Sequence, residues 1–166
     1  MTSPSTRKVN EVPATLFLIR FRPLWDYIEV ARELGKSFCQ GTFSDPALAE
    51  RARLVIQEAL ENAVKYSAPG SESELELQIT TEGEHVEFSI GSRPDPIHLH
   101  SLREELERVC ANEPQQAYIE AFTRAAMEPE ASARLGLARM RFEGNVELSV
   151  VEEPGGRIRL NAKSVI

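Results

Sequence analysis

Cysteine is scarce in this 166-residue chain: there are two, Cys39 and Cys110, and no C-x-x-C. That removes a disulfide framework and a thiolate metal centre as organising devices, and both residues read as reduced thiols of a cytosolic protein. Long hydrophobic runs are lacking as well. The apolar stretch Leu16 to Phe21 is broken by Arg20 and is far too short to span a bilayer. It also has no signal-peptide core. Positive charge is in deficit: 19 Lys and Arg against 26 Asp and Glu give a formal net charge of −7. Nonspecific binding to nucleic acid or to an anionic membrane needs a basic face, so neither partner is expected. No nucleophile elbow, P-loop or Rossmann fingerprint occurs. His98 and His100 form an H-x-H without a third histidine or a cysteine close in sequence, which is a poor metal set.

What is present suits one globular core. Hydrophobic residues make up 42% and charged residues 27%, too apolar for a disordered chain. Residues 1–13 are polar and aperiodic and are expected to form a flexible tail, leaving 14–166 as a single domain. Thr15 to Phe21 reads as a strand. Leu24, Ile28, Ala31, Leu34 and Phe38 then recur at helical spacing, with Gly41 as the stop. Trp25, on the same helix, is expected in the core. Asp45 and Pro46 open a second helix as N-cap and first residue. Its apolar face runs from Leu48 to Val64. Strands with alternating Leu75, Leu77, Ile79 and Val86, Phe88, Ile90 flank the turn Glu82-Gly83-Glu84.

Residues 97–142 read as helices. One stripe holds Leu99, Leu102, Leu106 and Val109, another Tyr118, Phe122 and Ala125, and a third helix runs from Ala131 to Phe142. A closing hairpin alternates Val146, Leu148, Val150 with Ile158, Leu160, Ala162 around Pro154-Gly155-Gly156. Arg157, Arg159 and Lys163 make its last strand basic outward, the usual protection of a sheet edge. The element order β-α-α-β-β-α-α-α-β-β predicts an α+β two-layer sandwich, a mixed, mostly antiparallel sheet with helices on one face.

The stretch that carries chemistry is Q-E-A-L-E-N-A-V-K-Y-S, residues 57–67. Glu58, Asn62 and Lys65 lie four and three residues apart and share one helix face beside the apolar one. An amide oxygen suits Mg²⁺, a carboxylate one turn earlier can act on a nucleophile, and a lysine neutralises phosphate. The same three residues also suit the polar face of a surface helix.

The pattern E-x-x-x-N-A-x-K-[HY], here Glu58, Asn62, Ala63, Lys65 and Tyr66, resembles the N box of the histidine-kinase-like ATPase superfamily of gyrase, the histidine kinases and MutL. Within it, the chain is similar to the small stand-alone anti-sigma-factor serine kinases of bacteria, over roughly residues 15–163. The resemblance implies a Bergerat-like fold, with Glu58 as catalytic carboxylate, Asn62 as Mg²⁺ ligand and Lys65 as phosphate contact. It also places Arg134 and Gly136 in a second, nucleotide-binding glycine box.

Both glycine boxes are eroded. D-x-G-x-G, whose Asp reads the adenine amine, is replaced by Ile90-Gly91-Ser92-Arg93-Pro94-Asp95, and G-x-G-L-G-L by Ser132-Ala133-Arg134-Leu135-Gly136-Leu137. Arg134 can pair with phosphate or block its site. The expectation is therefore a cytoplasmic bacterial signalling regulator that binds another protein, with weak or no binding of ATP and Mg²⁺. The partner is an anti-sigma antagonist, a sigma factor or a response regulator, and a homodimer is left open. The chain from Ile97 to Glu130 is expected as a fixed helical cover. The alternative is an active ATP- and Mg²⁺-dependent serine/threonine kinase of anti-sigma type, favoured by intact Glu58, Asn62 and Lys65.

Overall fold

The computed structural model describes residues 14–68, 74–128 and 135–166. The expected tail 1–13, the eroded box at 132–134 with Arg134, and the start of the third distal helix lie outside the described residues. Five strands and five helices follow in the order β1 (Ala14–Phe21), α1 (Trp25–Phe43), α2 (Pro46–Lys65), β2 (Leu75–Glu82), β3 (His85–Ser92), α3 (Pro96–Ala111), α4 (Pro114–Met127), α5 (Leu135–Phe142), β4 (Glu147–Glu153) and β5 (Arg157–Val165). They build an α+β two-layer sandwich whose sheet has the order β1-β2-β3-β5-β4.

Every named strand pair is antiparallel. Two helices separate β1 from β2 and three separate β3 from β4. β3 and β4 thus run the same way, but the return strand β5 is inserted between them, so no parallel neighbours arise. Register produces two opposed rows across the sheet. On one face Ile19, Leu77, Ile90, Leu160 and Val150 line up under the helices. On the other Arg20, Glu76, Gly91, Arg159 and Val151 line up in the open. The period of two in the sequence is this division.

Helix α2 fills the centre of the inner layer. The Asp45 side chain accepts from the amides of Ala47 and Leu48 at 2.9 and 3.2 Å, and Pro46 takes the first position, as expected. Leu48, Ala52, Val55, Ile56, Ala59 and Leu60 are buried against Leu77, Ile79, Phe88 and Ile90.

Three helix readings are corrected. Helix α1 continues past Gly41 to Phe43, and Ser44 takes the left-handed backbone with φ 52°. Half-burying Phe43 against the core offsets the roughly 1 kcal/mol that glycine costs inside a helix. Its core stripe is Ile28, Ala31, Gly35 and Cys39, so Leu24 and Leu34 stay half exposed. Gly35 lies in this stripe against the end of the Ile56 side chain of α2, which would have to shift to admit a Cβ. Trp25 is 58% exposed because it opens the helix on a flank away from that stripe. In α4 the small Ala117 and Ala121 face inward, and Phe122 is left exposed.

The basic strand is corrected too. β5 lies inside the sheet, and β1 and β4 form the edges. Its arginines are part of an ion-pair chain across the open face: Arg20 donates to Glu76 at 2.8 Å, Arg159 to Glu76 at 2.9 Å and to Glu153 at 2.7 Å. Arg159 reaches Glu76 across β3, beside Gly91, where an added Cβ would make an ordinary contact 3.5 Å from its guanidinium. Burial works to raise the Glu76 carboxyl, but the hydrogen bonds from Arg20 and Arg159 outweigh it and its pKa is lowered. A depressed carboxylate contributes stability above its unfolded pKa and loses it as pH falls through the folded value. Glu76→Gln is therefore expected to destabilise by about 1–3 kcal/mol at neutral pH. Denaturant melts of the two proteins should converge once the pH is low enough to protonate Glu76.

Candidate functional site

The last two turns of α2 carry the candidate residues to the end of the sheet. Asn62 continues the stripe of Val55 and Ala59, so a polar side chain stands where the core face emerges from under the helices. It lines a small pocket with Ala63, Tyr66, Ile90, Ser92, His98 and Leu102. Glu58, one turn earlier, is half-buried on the neighbouring flank. Its Oε1 accepts from Arg139 Nη1 of α5 at 2.9 Å.

Gly136, near the start of α5, closes the group. A Cβ there would lie 2.8 Å from Glu58 Oε2 and 3.4 Å from Asn62 Nδ2, so only glycine leaves both side chains in place. Glu58, Asn62 and Gly136, all proposed from sequence, are thus neighbours. Lys65 stands apart: it is exposed at the helix C-terminus, with Nζ 5.5 Å from the Tyr66 ring centroid and no part in lining the pocket. There it complements the carbonyl end of the helix dipole.

The eroded adenine box acquires a definite geometry. Strand alternation turns Gly91 to the open face of the sheet and Ser92 into the pocket, where it is buried. Asp95 has another task. Its carboxylate accepts from the Ile97 amide at 2.9 Å and caps α3, with Pro96 at the first helical position. Two backbone bonds, from Asp95 N to Tyr66 O at 3.0 Å and from Ala68 N to Arg93 O at 3.1 Å, tie the start of α3 to the end of α2. His98 is thereby set against Tyr66, with ring centroids 4.7 Å apart. The space left beneath is about 30 Å³, room for a water or two.

Helices α3 and α4 lie where a cover was expected, through Glu128; residues 129–130 are outside the description. Sequence patterning missed what joins them. Glu105 is almost fully buried between Arg108 at 2.5 Å and Arg124 at 3.4 Å, linking α3 to α4. Only its place between Leu102 and Val109 on the apolar stripe hints at burial. Arg141 of α5 donates to the carbonyls of Val109 and Asn112 at the end of α3, and Tyr118 of α4 stacks on Phe142 at 5.3 Å.

As to cofactors, His98 and Leu102 line the pocket beside Asn62, and the residue at the adenine-box position is Ser92, which carries no carboxylate. Among the described residues no cluster of three or more His, Cys, Asp or Glu could hold a metal ion, and His100 points away from His98 toward Glu104. Cys39 is buried, which pushes its thiol up to about 12, and Cys110 is exposed; both are free. Among the described residues no helix is long and apolar enough to cross a membrane.

This geometry places the chain in the class of α+β two-layer folds with a cleft between the central helix and the sheet. The solved structure of the SiaB-SiaC complex from Pseudomonas aeruginosa contains a chain with the same fold. It matches with a TM-score of 0.68 at 18% identity, covering 92% of this chain and 91% of that one. No family model and no curated protein sequence matches this chain.

Burial raises the Glu58 pKa, against the opposing pull of Arg139. A carboxyl raised on folding is most stabilising when protonated, so its contribution weakens as pH rises through the folded value. Glu58→Gln is expected to raise the melting temperature at pH 7 to 8, with the gain vanishing in acid where Glu58 is neutral too. A lower melting temperature at pH 8 than that of the parent would show the Arg139 pair to be the larger effect.

Proposed function

We propose that this chain is a bacterial signalling regulator that acts by binding another protein, on a histidine-kinase-like ATPase fold that has lost most of its nucleotide site. The observation that carries this reading is the small size of the pocket at Asn62. His98 and Leu102 of α3 line it together with Asn62, its space is about 30 Å³, and Ser92 stands where the resemblance calls for an adenine-reading carboxylate. The fold-level likeness supports the same reading, because the neighbour is a member of a two-protein complex by its title. The partner is a cytoplasmic signalling protein of the anti-sigma antagonist, sigma factor or response regulator class.

In this reading the N-box residues work structurally. Glu58 anchors α5 through Arg139, and Asn62 supplies the polar lining of the cleft beside Ser92. Arg139 is shared with Glu143 at 3.2 Å, so α5 is held at its middle and its end. The α3–α4 layer then presents a surface built on a rigid floor.

A second reading rests on one observation of its own. Glu58, Asn62 and Gly136 are brought together, which is the constellation the resemblance assigns to an ATP- and Mg²⁺-dependent serine/threonine kinase. It requires Arg139 to release Glu58 and the α3 residues His98 and Leu102 to make room beside Asn62.

Calorimetric titration with ATP, with and without Mg²⁺, separates the two. Loss of the amine contact alone weakens affinity about tenfold, and the small volume of the pocket weakens it further. The regulator predicts no measurable heat at millimolar ATP. Micromolar binding that needs Mg²⁺ and disappears in Asn62→Ala would establish the kinase reading instead.

A further inference from the structure

The opposite end of the sheet from the Asn62 pocket holds a larger cavity, of about 450 Å³. That is the volume of a small-molecule site. Strand β3 has Ser92 at the first pocket and His85 at this one. At about 3.3 Å per residue, positions 85 and 92 lie roughly 23 Å apart. The two spaces are therefore separate. The end of α3, the start of α4 and the end of α5 meet at the wall of the larger one.

That wall is held by its own hydrogen bonds. Arg141 Nη1 donates to the carbonyls of Val109 and Asn112, the second at 2.8 Å, which fixes the guanidinium at the end of α3. The buried Ser164 Oγ donates to the Asn145 carbonyl at 3.0 Å and secures the turn between α5 and β4.

The lining carries both signs of charge, and they do not pair. Arg141, Lys163 and the imidazole of His85 form the basic side, Glu113 and Glu147 the acidic side. Among the described residues no ion pair joins the two sets. Arg141 is half-buried and has no carboxylate partner among the described residues. Lys163 reaches Glu82, outside the lining, at 3.9 Å. Glu147 stands directly across from Lys163 in the β4–β5 register without closing on it. A half-buried charge without a partner is costly, and here opposite charges face one space instead of each other. A simple anion would satisfy the bases and be repelled by the two glutamates. A simple cation would do the reverse.

We propose that this cavity binds a small zwitterion, a free amino acid or a short peptide, with its carboxylate toward Arg141 and Lys163 and its ammonium toward Glu113 and Glu147. The carbonyls of α3 take up Nη1 of Arg141, and the other guanidinium nitrogens are donors for a carboxylate. The site goes beyond the protein-binding role: it adds a small-molecule input where α3, α4 and α5 meet. It does not depend on whether the Asn62 pocket takes nucleotide.

Thermal melts and calorimetric titration of the full chain with the common L-amino acids and with glycine-containing dipeptides test it. The expected result is a raised melting temperature with at least one of them, because a ligand of the folded state stabilises it. The N-acetyl and methyl-ester derivatives of that compound each lack one charge and should bind at least about tenfold more weakly. Glu147→Gln and Lys163→Gln should each weaken binding by a similar factor. Neither residue is buried, so their melts without ligand should match the parent. Arg141→Gln should abolish binding, but it also removes two bonds to the end of α3, so the other two variants carry the test. A response to amino acids alone or to dipeptides alone supports the proposal and identifies the source. No response to any of these compounds, an N-acetyl derivative or inorganic phosphate that binds as tightly as the zwitterion, or binding unchanged in both Glu147→Gln and Lys163→Gln each overturns it.

Discussion

Helix α2 against the inner sheet row is the contact on which the other elements depend. Val55, Ile56, Ala59 and Leu60 are buried against Leu77, Ile79, Phe88 and Ile90. An antiparallel sheet with one wet face can recruit helices only to the other. Once α2 holds the centre of that face, α1 is confined to the β1 side. The α3–α5 group is confined to the side of β4 and β5, and the seam at the end of α2 becomes the natural place for a cleft.

That seam explains why the candidate residues end up in different states. Asn62 is aligned with the core stripe, so it is drawn under α3. Glu58 is a flank residue, and it meets α5, where Arg139 takes its carboxylate. Lys65 is the last residue of the helix and swings into solvent. The three share a helix face, within about 60° of arc at roughly 100° per residue, and they part company because α3 and α5 pack over the middle of that stretch while the helix ends at Lys65. One motif therefore yields a pocket wall, an ion-pair anchor and an exposed cation.

The open face of the sheet is governed by a second constraint, charge compensation. Glu76 accepts from arginines on both sides, and Gly91 leaves the passage between them. The departure from the glycine-box pattern thus has two faces: Gly91 serves the ion-pair chain outside, while Ser92 shapes the pocket inside.

Much of this was legible in the sequence. Strand alternation identified the inner and outer residues of β2, β3 and β5, because a period of two has only two outcomes. The Asp45-Pro46 start of α2 was legible because an N-cap is a local hydrogen bond. The class of fold followed from element order, but the N box pointed to Glu58, Asn62 and Lys65 as one group, and only the packing of α5 put Gly136, in place of Lys65, beside Glu58 and Asn62. Tertiary structure decided the rest. The phases of α1 and α4 were set by close approach at Gly35, Ala117 and Ala121, where the smallest side chains, which hydrophobic patterning undervalues, face inward. It moved β5 from edge to interior, because strand order depends on which neighbour completes the sheet and not on chain order. It also set His98 against Tyr66 beside the pocket, since that contact depends on a helix whose position no local pattern specifies.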